Sequence, residues 1–249
     1  MAGSTRKATG TSSKKSSTEK SETSTKVTLS PRLKDKRIKL SEDRLIASGD
    51  RGFSTVLATH GAQSDRWYYE VTVETDGNFR LGWSTRRTRF DFPIGSDIFS
   101  LGISDCGSKV IQGFRSSYAS ALKAGDVVGC YLEISDKKFP IITTEDPIWA
   151  GLYCDPENPP EPEISDSTSA YFSVNGEVLP PAFTRLVVGE FYPAMSIFGR
   201  AKLRANFGPE FRFPPNNFRA ISDLFDPVAL LKPPTRPQNF IPRGAGAEA

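Results

Sequence analysis

The chain has 249 residues, 37% of them hydrophobic and 24% charged, with a net charge of +3 at pH 7. That length suits one domain of about 200 residues, and so small an excess of positive charge does not by itself point to nucleic acid. No run of about 18 apolar residues is present to span a membrane as a helix, and the scattered Cys106, Cys130 and Cys154, with His60 as the one histidine, form neither a disulfide framework nor a zinc cluster.

Residues 1–26 are Ser, Thr and Lys with almost no apolar content. They bury too little surface to offset ordering entropy, so a disordered tail is expected. The tail lacks the apolar h-region of a secretory signal. Its basic residues suit a nuclear address, a weak nucleic-acid contact or a merely solvated tail.

From Val27 short apolar runs of period two alternate with turn residues. In WYYEVTV, Trp67, Tyr69, Val71 and Val73 share one face and Tyr68, Glu70 and Thr72 the other, which predicts a half-buried strand. Asp76-Gly77 is a hairpin signal. Phe79, Leu81 and Trp83 follow on one face of the next strand, and Arg80 points the opposite way. GDVVGCYLEI groups Val128, Cys130, Leu132 and Ile134. SAYFSVNGE groups Phe172 and Val174 before a second two-residue turn, Asn175-Gly176. In AKLRANFGP, Leu203, Ala205 and Phe207 face in and Lys202, Arg204 and Asn206 face out.

Many closely spaced strands without helical crossovers predict an all-β, antiparallel β-sandwich over residues 27–218. A proline-rich, acidic loop insert is expected at 135–169. Residues 219–249 are expected to form a short C-terminal helix and a mobile tail, because Ile221, Leu224, Phe225, Val228 and Leu231 recur at helical spacing, with Pro227 interrupting.

An enzyme needs a convergent set of acid, base or nucleophile. The chain contains no H-E-x-x-H, G-x-S-x-G, P-loop or dinucleotide fingerprint. Its carboxylate pairs, such as Asp35 with Glu42 and Asp126 with Glu133, are tied to no cleft, and His60 reads as a turn or strand-end residue. The expectation is a binding protein with no catalytic residues, no cofactor and no metal.

The stretch NFRLGWSTRRTRFDFPIGSD, Asn78 to Asp97, carries the strongest binding signal. Arg80 lies on a strand but off its core face. Arg86, Arg87 and Arg89 follow, interleaved with Phe90, Phe92 and Pro93. Guanidinium forks beside aromatic and proline surface suit an extended acidic peptide. Nucleic-acid phosphate and a solvated basic loop are the other readings of the same charges.

The ordered segments DRGFSTVLATHG, RWYYEVTV, FRLGWS, AGDVVGCYLEI, YFSVNGE, FYPAMSI and LRANFGP resemble a SPRY (B30.2-type) domain from about Val27 to Pro215. Within that superfamily, LSEDRLIASGDRGFSTVLATHG, RLGWS followed by FPIGSDIFS, and NFGPEFRFPP are similar to the trithorax-group Ash2-like family. The resemblance implies a nuclear, non-catalytic subunit of a COMPASS/MLL-type complex that methylates histone H3 at lysine four. Its expected partners are a WD-repeat subunit of the retinoblastoma-binding-protein-five type, bound through an acidic segment, and the SET-domain methyltransferase. Family contacts fall on Arg80 and Pro93, and a family tyrosine and arginine are replaced here by Ser96 and Ser104. Arg86, Arg87 or Arg89 would then supply charge, or the partner segment differs. The resemblance also makes the segment from Ile221 to Leu231 a candidate dock for a dumpy-thirty-type dimer. These 249 residues contain no Cys/His cluster for the zinc-finger and winged-helix region of many members, so nucleic-acid contact is expected at most weakly, through the basic tail. The alternative is a SPRY peptide-binding adaptor outside chromatin, for instance in ubiquitin transfer.

Overall fold

The computed structural model describes Met1, residues 26–135 and residues 162–224. The strands are β1 (Leu29–Lys34), β2 (Lys39–Leu40), β3 (Ile46–Ser48), β4 (Phe53–Ala58), β5 (Asp65–Thr75), β6 (Asn78–Ser84), β7 (Ser100–Ser104), β8 (Ser108–Ile111), β9 (Phe114–Ser117), β10 (Val127–Ile134), β11 (Ile164–Val174), β12 (Glu177–Val178), β13 (Phe183–Val187), β14 (Tyr192–Phe198), β15 (Lys202–Asn206) and β16 (Arg219–Ala220). They build two sheets. The first has the order β1-β4-β14-β6-β7-β8-β9, and the second runs β12-β11-β10-β5-β15-β3-β2, with β13 added to β11 and β16 to β5. Pairing is antiparallel except for the short parallel contact of β16 with β5.

The period-two faces meet in one core. Phe79, Leu81 and Trp83 from β6 face Tyr69, Val71 and Val73 from β5, with Cys130, Leu132, Phe172 and Leu203 beside them. Tyr69 meets Trp83 edge-on at 5.0 Å between ring centroids, and its hydroxyl donates across the sandwich to the Gly82 carbonyl. Position 82 has to be glycine, because a Cβ there would lie 2.3 Å from the Leu101 carbonyl oxygen. Asn175-Gly176 closes the β11–β12 hairpin that its sequence predicts, whereas Asp76-Gly77 does not close a hairpin: it carries the chain from β5 in the second sheet to β6 in the first.

Three expectations need correction. The strand β5 is buried on both faces, not one: Tyr68 is 0% and Glu70 2% exposed. The segment after β15 crosses the outer face of the second sheet and covers them, with Phe211 edge-on to Tyr68 at 4.8 Å and Phe218 edge-on to Tyr131 at 5.1 Å. The loop insert is shorter than 135–169, because Ile164–Ser169 already pairs in β11, Thr168 against Ile134 and Ile164 against Val187. In place of the C-terminal helix, the described residues form one 3-10 turn, Ile221–Asp223, after which Leu224 is extended (φ −67°, ψ 128°). Ile221 is buried in the sandwich core and Leu224 packs against it, so core packing uses the apolar side chains that the spacing had offered to a partner. Phe225, Val228 and Leu231, the tail at 2–25 and residues 136–161 of the insert lie outside the described residues.

Glu70 fastens the crossing segment. Its carboxylate accepts from the backbone N–H of Phe213 at 2.7 Å and of Arg212 at 2.9 Å, from the Tyr68 hydroxyl at 3.1 Å and from Asn206 Nδ2 at 3.3 Å. A buried charge with that many donors is compensated, and its removal strands them. Glu70→Ala is expected to lower the unfolding free energy in urea by about 3 kcal/mol and to raise amide exchange first at Arg212 and Phe213.

Candidate partner-binding face

The outer face of the first sheet carries the site. On β6 the core residues alternate with Arg80, Gly82 and Ser84. Arg80 is flanked in register by Ser196 of β14 and Ser104 of β7. The loop between β6 and β7 folds back over this face. Ile94, 0% exposed, packs on Leu57, Tyr192 and Ala194. Its N–H donates to Ser196 Oγ at 2.8 Å, and Thr55 donates to the Phe92 carbonyl at 2.7 Å. Gly95 has φ +78°, and a Cβ there would lie 2.6 Å from the Val110 carbonyl oxygen, so the Pro-Ile-Gly turn is built into the sheet.

Arg80 lies beneath this loop, only 5% exposed. Its Nη1 donates to the Ile94 carbonyl at 2.7 Å, and its guanidinium carbon is 5.7 Å from the Phe53 ring centre. Among the described residues it makes no ion pair. Burial first, and then the positive charge of Arg115, push its pKa down to about 10, against a smaller opposing pull from Asp105. The group stays charged at neutral pH, and holding that charge costs on the order of 3 kcal/mol.

The three loop arginines are exposed, and each lies over an aromatic ring: Arg86 over Tyr192 at 4.7 Å, Arg87 over Phe99 at 4.4 Å and Arg89 over Phe92 at 4.2 Å. Arg89 is also paired with Asp91 at 2.8 Å. Arg86 and Arg87 make no ion pair among the described residues. Pro93 and Ser96 are half-buried, closing a turn through the Ser96 N–H to Pro93 carbonyl bond at 3.3 Å. Ser104 is buried beside Arg80, with its Oγ 3.1 Å from Cys106 Sγ.

The structure thus gathers Arg80 and Ser104 beneath a loop whose turn is formed by Pro93 and Ser96, and leaves Arg86, Arg87 and Arg89 on its outside. The sequence reading missed Phe53 and Phe198, whose rings pair at 5.1 Å next to Arg80. Period-two counting back from Thr55 and Leu57, and forward from Ser196, would have put both on this face. His60 is 5% exposed at the end of β4, with Nδ1 2.8 Å from Thr59 Oγ1, as a strand-end residue would be.

The SPRY domain family model matches residues 66–141. Over 197 residues the chain is 31% identical to the Set1/Ash2 histone methyltransferase complex subunit ASH2 of Drosophila melanogaster, covering 72% of this chain and 35% of that protein. The Caenorhabditis elegans subunit ash-2 is 27% identical over 205 residues, 72% of this chain and 36% of its own length. The chain belongs to the Ash2-like SPRY-domain proteins. It spans about a third of the length of these two relatives. The SPRY likeness also reaches the ATP-dependent RNA helicase DDX1 of Xenopus laevis, 28% identical over 68% of this chain and 19% of the helicase. The crystal structure of the SPRY domain of human HERC1 shares the fold, with a TM-score of 0.54 at 15% identity over 74% of this chain and 99% of that one.

Two outcomes test this SPRY face. Arg80→Met keeps a flexible apolar chain under the loop and removes the charge. Stability in urea is expected to change by less than about 1 kcal/mol or to rise; a loss of about 3 kcal/mol would make Arg80 a structural anchor instead. Cys106 is exposed, and hydrogen bonds from Ser104 and then Ser108 hold its thiol below the usual range, whereas burial pushes that of Cys130 up to about 12. In a Cys154→Ser background, a thiol reagent at neutral pH is expected to label Cys106 within the native state and Cys130 only on unfolding.

Proposed function

We propose that this chain is a non-catalytic scaffold subunit of a nuclear histone H3 lysine-4 methyltransferase complex, and that the Arg80 face holds an acidic segment of a WD-repeat partner. The observation that carries the binding site is Arg80 itself: a buried guanidinium with one hydrogen bond to its own loop and no ion-pair partner among the described residues. A carboxylate delivered by a partner offsets the cost of that burial. The chromatin setting rests on the two Set1/Ash2 relatives. Arg86, Arg87 and Pro93 shape and charge the rim, and the Phe53–Phe198 pair offers an apolar seat. The mechanism is a population shift: bridging the acidic segment favours the competent arrangement of the SET-domain enzyme, with no chemistry of the chain's own. A second reading is a SPRY peptide adaptor outside chromatin, because the SPRY likeness is not confined to the Set1/Ash2 subunits. Docking of a dumpy-thirty-type dimer through the C-terminal segment would rest on Phe225, Val228 and Leu231, because Ile221 and Leu224 pack on the core.

Calorimetric titration of the chain with an acidic peptide of that WD-repeat type, at low and moderate salt, tests the site. Salt-sensitive binding that weakens about tenfold or more in Arg80→Ala is expected. Binding untouched by Arg80→Ala moves the site elsewhere, and no binding favours the adaptor reading.

A further inference from the structure

The outer face beside Arg80 continues across β7 and β8 to the edge strand β9. Register fixes which side chains share it. Arg80 pairs with Ser104, Val110 pairs with Gly102 on one side and with Arg115 on the other, and Ser108 pairs with Ser117. Alternation therefore puts Ser104, Ser108, Val110, Arg115 and Ser117 on the same face as Arg80. Between the two arginines the floor is made of small polar side chains and Val110.

Arg115 is placed by the same loop that covers Arg80. The tip of the β8–β9 hairpin is a Gln112-Gly113 turn with both residues at positive φ (52° and 78°). Its N–H groups donate back to the covering loop, Gly113 to the Gly95 carbonyl at 2.8 Å and Gln112 to the Asp97 carbonyl at 3.2 Å. Arg80 bonds the Ile94 carbonyl one residue away. One rigid turn thus holds both cations. Arg115 is exposed, and among the described residues it makes no ion pair.

We infer that Arg115 is the second cation of the acidic-peptide site, and that one carboxylate side chain of the partner sits between Arg80 and Arg115 over the Ser104–Ser108 floor. This rests on the reading of the Arg80 face given above. It accounts for the serine at position 104: a short side chain there leaves the space open, and the positive charge enters from the neighbouring hairpin. Burial is the larger cause of the lowered pKa of Arg80, and the like charge of Arg115 adds to it; an anion between them relieves that repulsion. The loop arginines take no part in this pair: Arg89 has its own acid in Asp91, while Arg86 and Arg87 are held over rings of the loop and its base.

The test is calorimetric titration with a synthetic glutamate-rich peptide of the unaltered chain, Arg80→Ala, Arg115→Ala and the Arg86→Ala/Arg87→Ala double variant. A scan replaces each peptide glutamate by glutamine. Arg115→Ala is expected to weaken binding about fivefold or more and to flatten its salt dependence. One glutamate is expected to couple to both arginines, so that its replacement erases the effect of either substitution. Should Arg80→Ala lose affinity while Arg115→Ala does not, Arg115 is no part of the site and the Arg80 reading stands. Coupling of the two arginines to different glutamates overturns the shared carboxylate. If the unaltered chain does not bind, both readings fall together.

Discussion

A charged side chain removed from water must be given partners, and the two outer faces of this sandwich meet that demand in opposite ways. Glu70 is almost fully buried and receives donors from Tyr68, Asn206, Arg212 and Phe213. Arg80 is nearly as buried but has one carbonyl bond to its own loop and no acid paired to it among the described residues. The first arrangement closes on itself and fastens the chain after β15. The second leaves the charge without an acid among the described residues, which is the basis of the proposed site. The same physics therefore separates a charge compensated within its own fold from one that the proposed reading pairs with a partner.

The covering loop converts an isolated charge into a prepared surface. Ile94 is locked in an apolar seat on Leu57, Tyr192 and Ala194, Ser196 takes its N–H, and Thr55 holds the Phe92 carbonyl. The exposed arginines rest on aromatic rings, which restricts long side chains that would otherwise lose much freedom on binding. For the proposed partner, ordering would be largely complete before binding, so more of the interaction energy would appear as affinity. Arg89 shows the limit of counting charges: its pairing with Asp91 at 2.8 Å leaves it less to offer than its neighbours, although all three looked equivalent in sequence.

Period-two alternation made the core legible. Trp67, Tyr69, Val71, Phe79, Leu81 and Trp83 occupy the faces that the pattern assigns, and Arg80 points away from them as read. The burial of Tyr68 and Glu70 was not legible, because it depends on a segment some 140 residues later crossing the sheet, and no local pattern encodes that. The acidic residue inside a run of aromatics was the available signal. The apolar spacing from Ile221 to Leu224 misled for a related reason. A 3-10 turn presenting Ile221 to the core has the same first step as an amphipathic helix, and only the extended Leu224 tells them apart. At the site, position within RLGWS identified Arg80, but its degree of burial comes from a loop whose anchor residues, Thr55 and Ser196, sit on two other strands.

The register of the first sheet carries this last point further. Strand pairing puts Ser104 beside Arg80, and the β8–β9 hairpin swings back on the same face, its tip tied to Gly95 and Asp97. A change at position 104 is therefore not an isolated loss. If position 104 carried a long cation in relatives, as the family resemblance implies, serine would empty space beside the neighbouring hairpin, and the inferred role of Arg115 would supply charge from a different backbone position. What a binding face preserves is where positive charge sits above the sheet, and in an antiparallel sheet several strand positions can supply the same point in space. Comparison of aligned residues alone would score this face as having lost a contact, whereas under the inference above the pairing pattern offers a second strand position for the same charge.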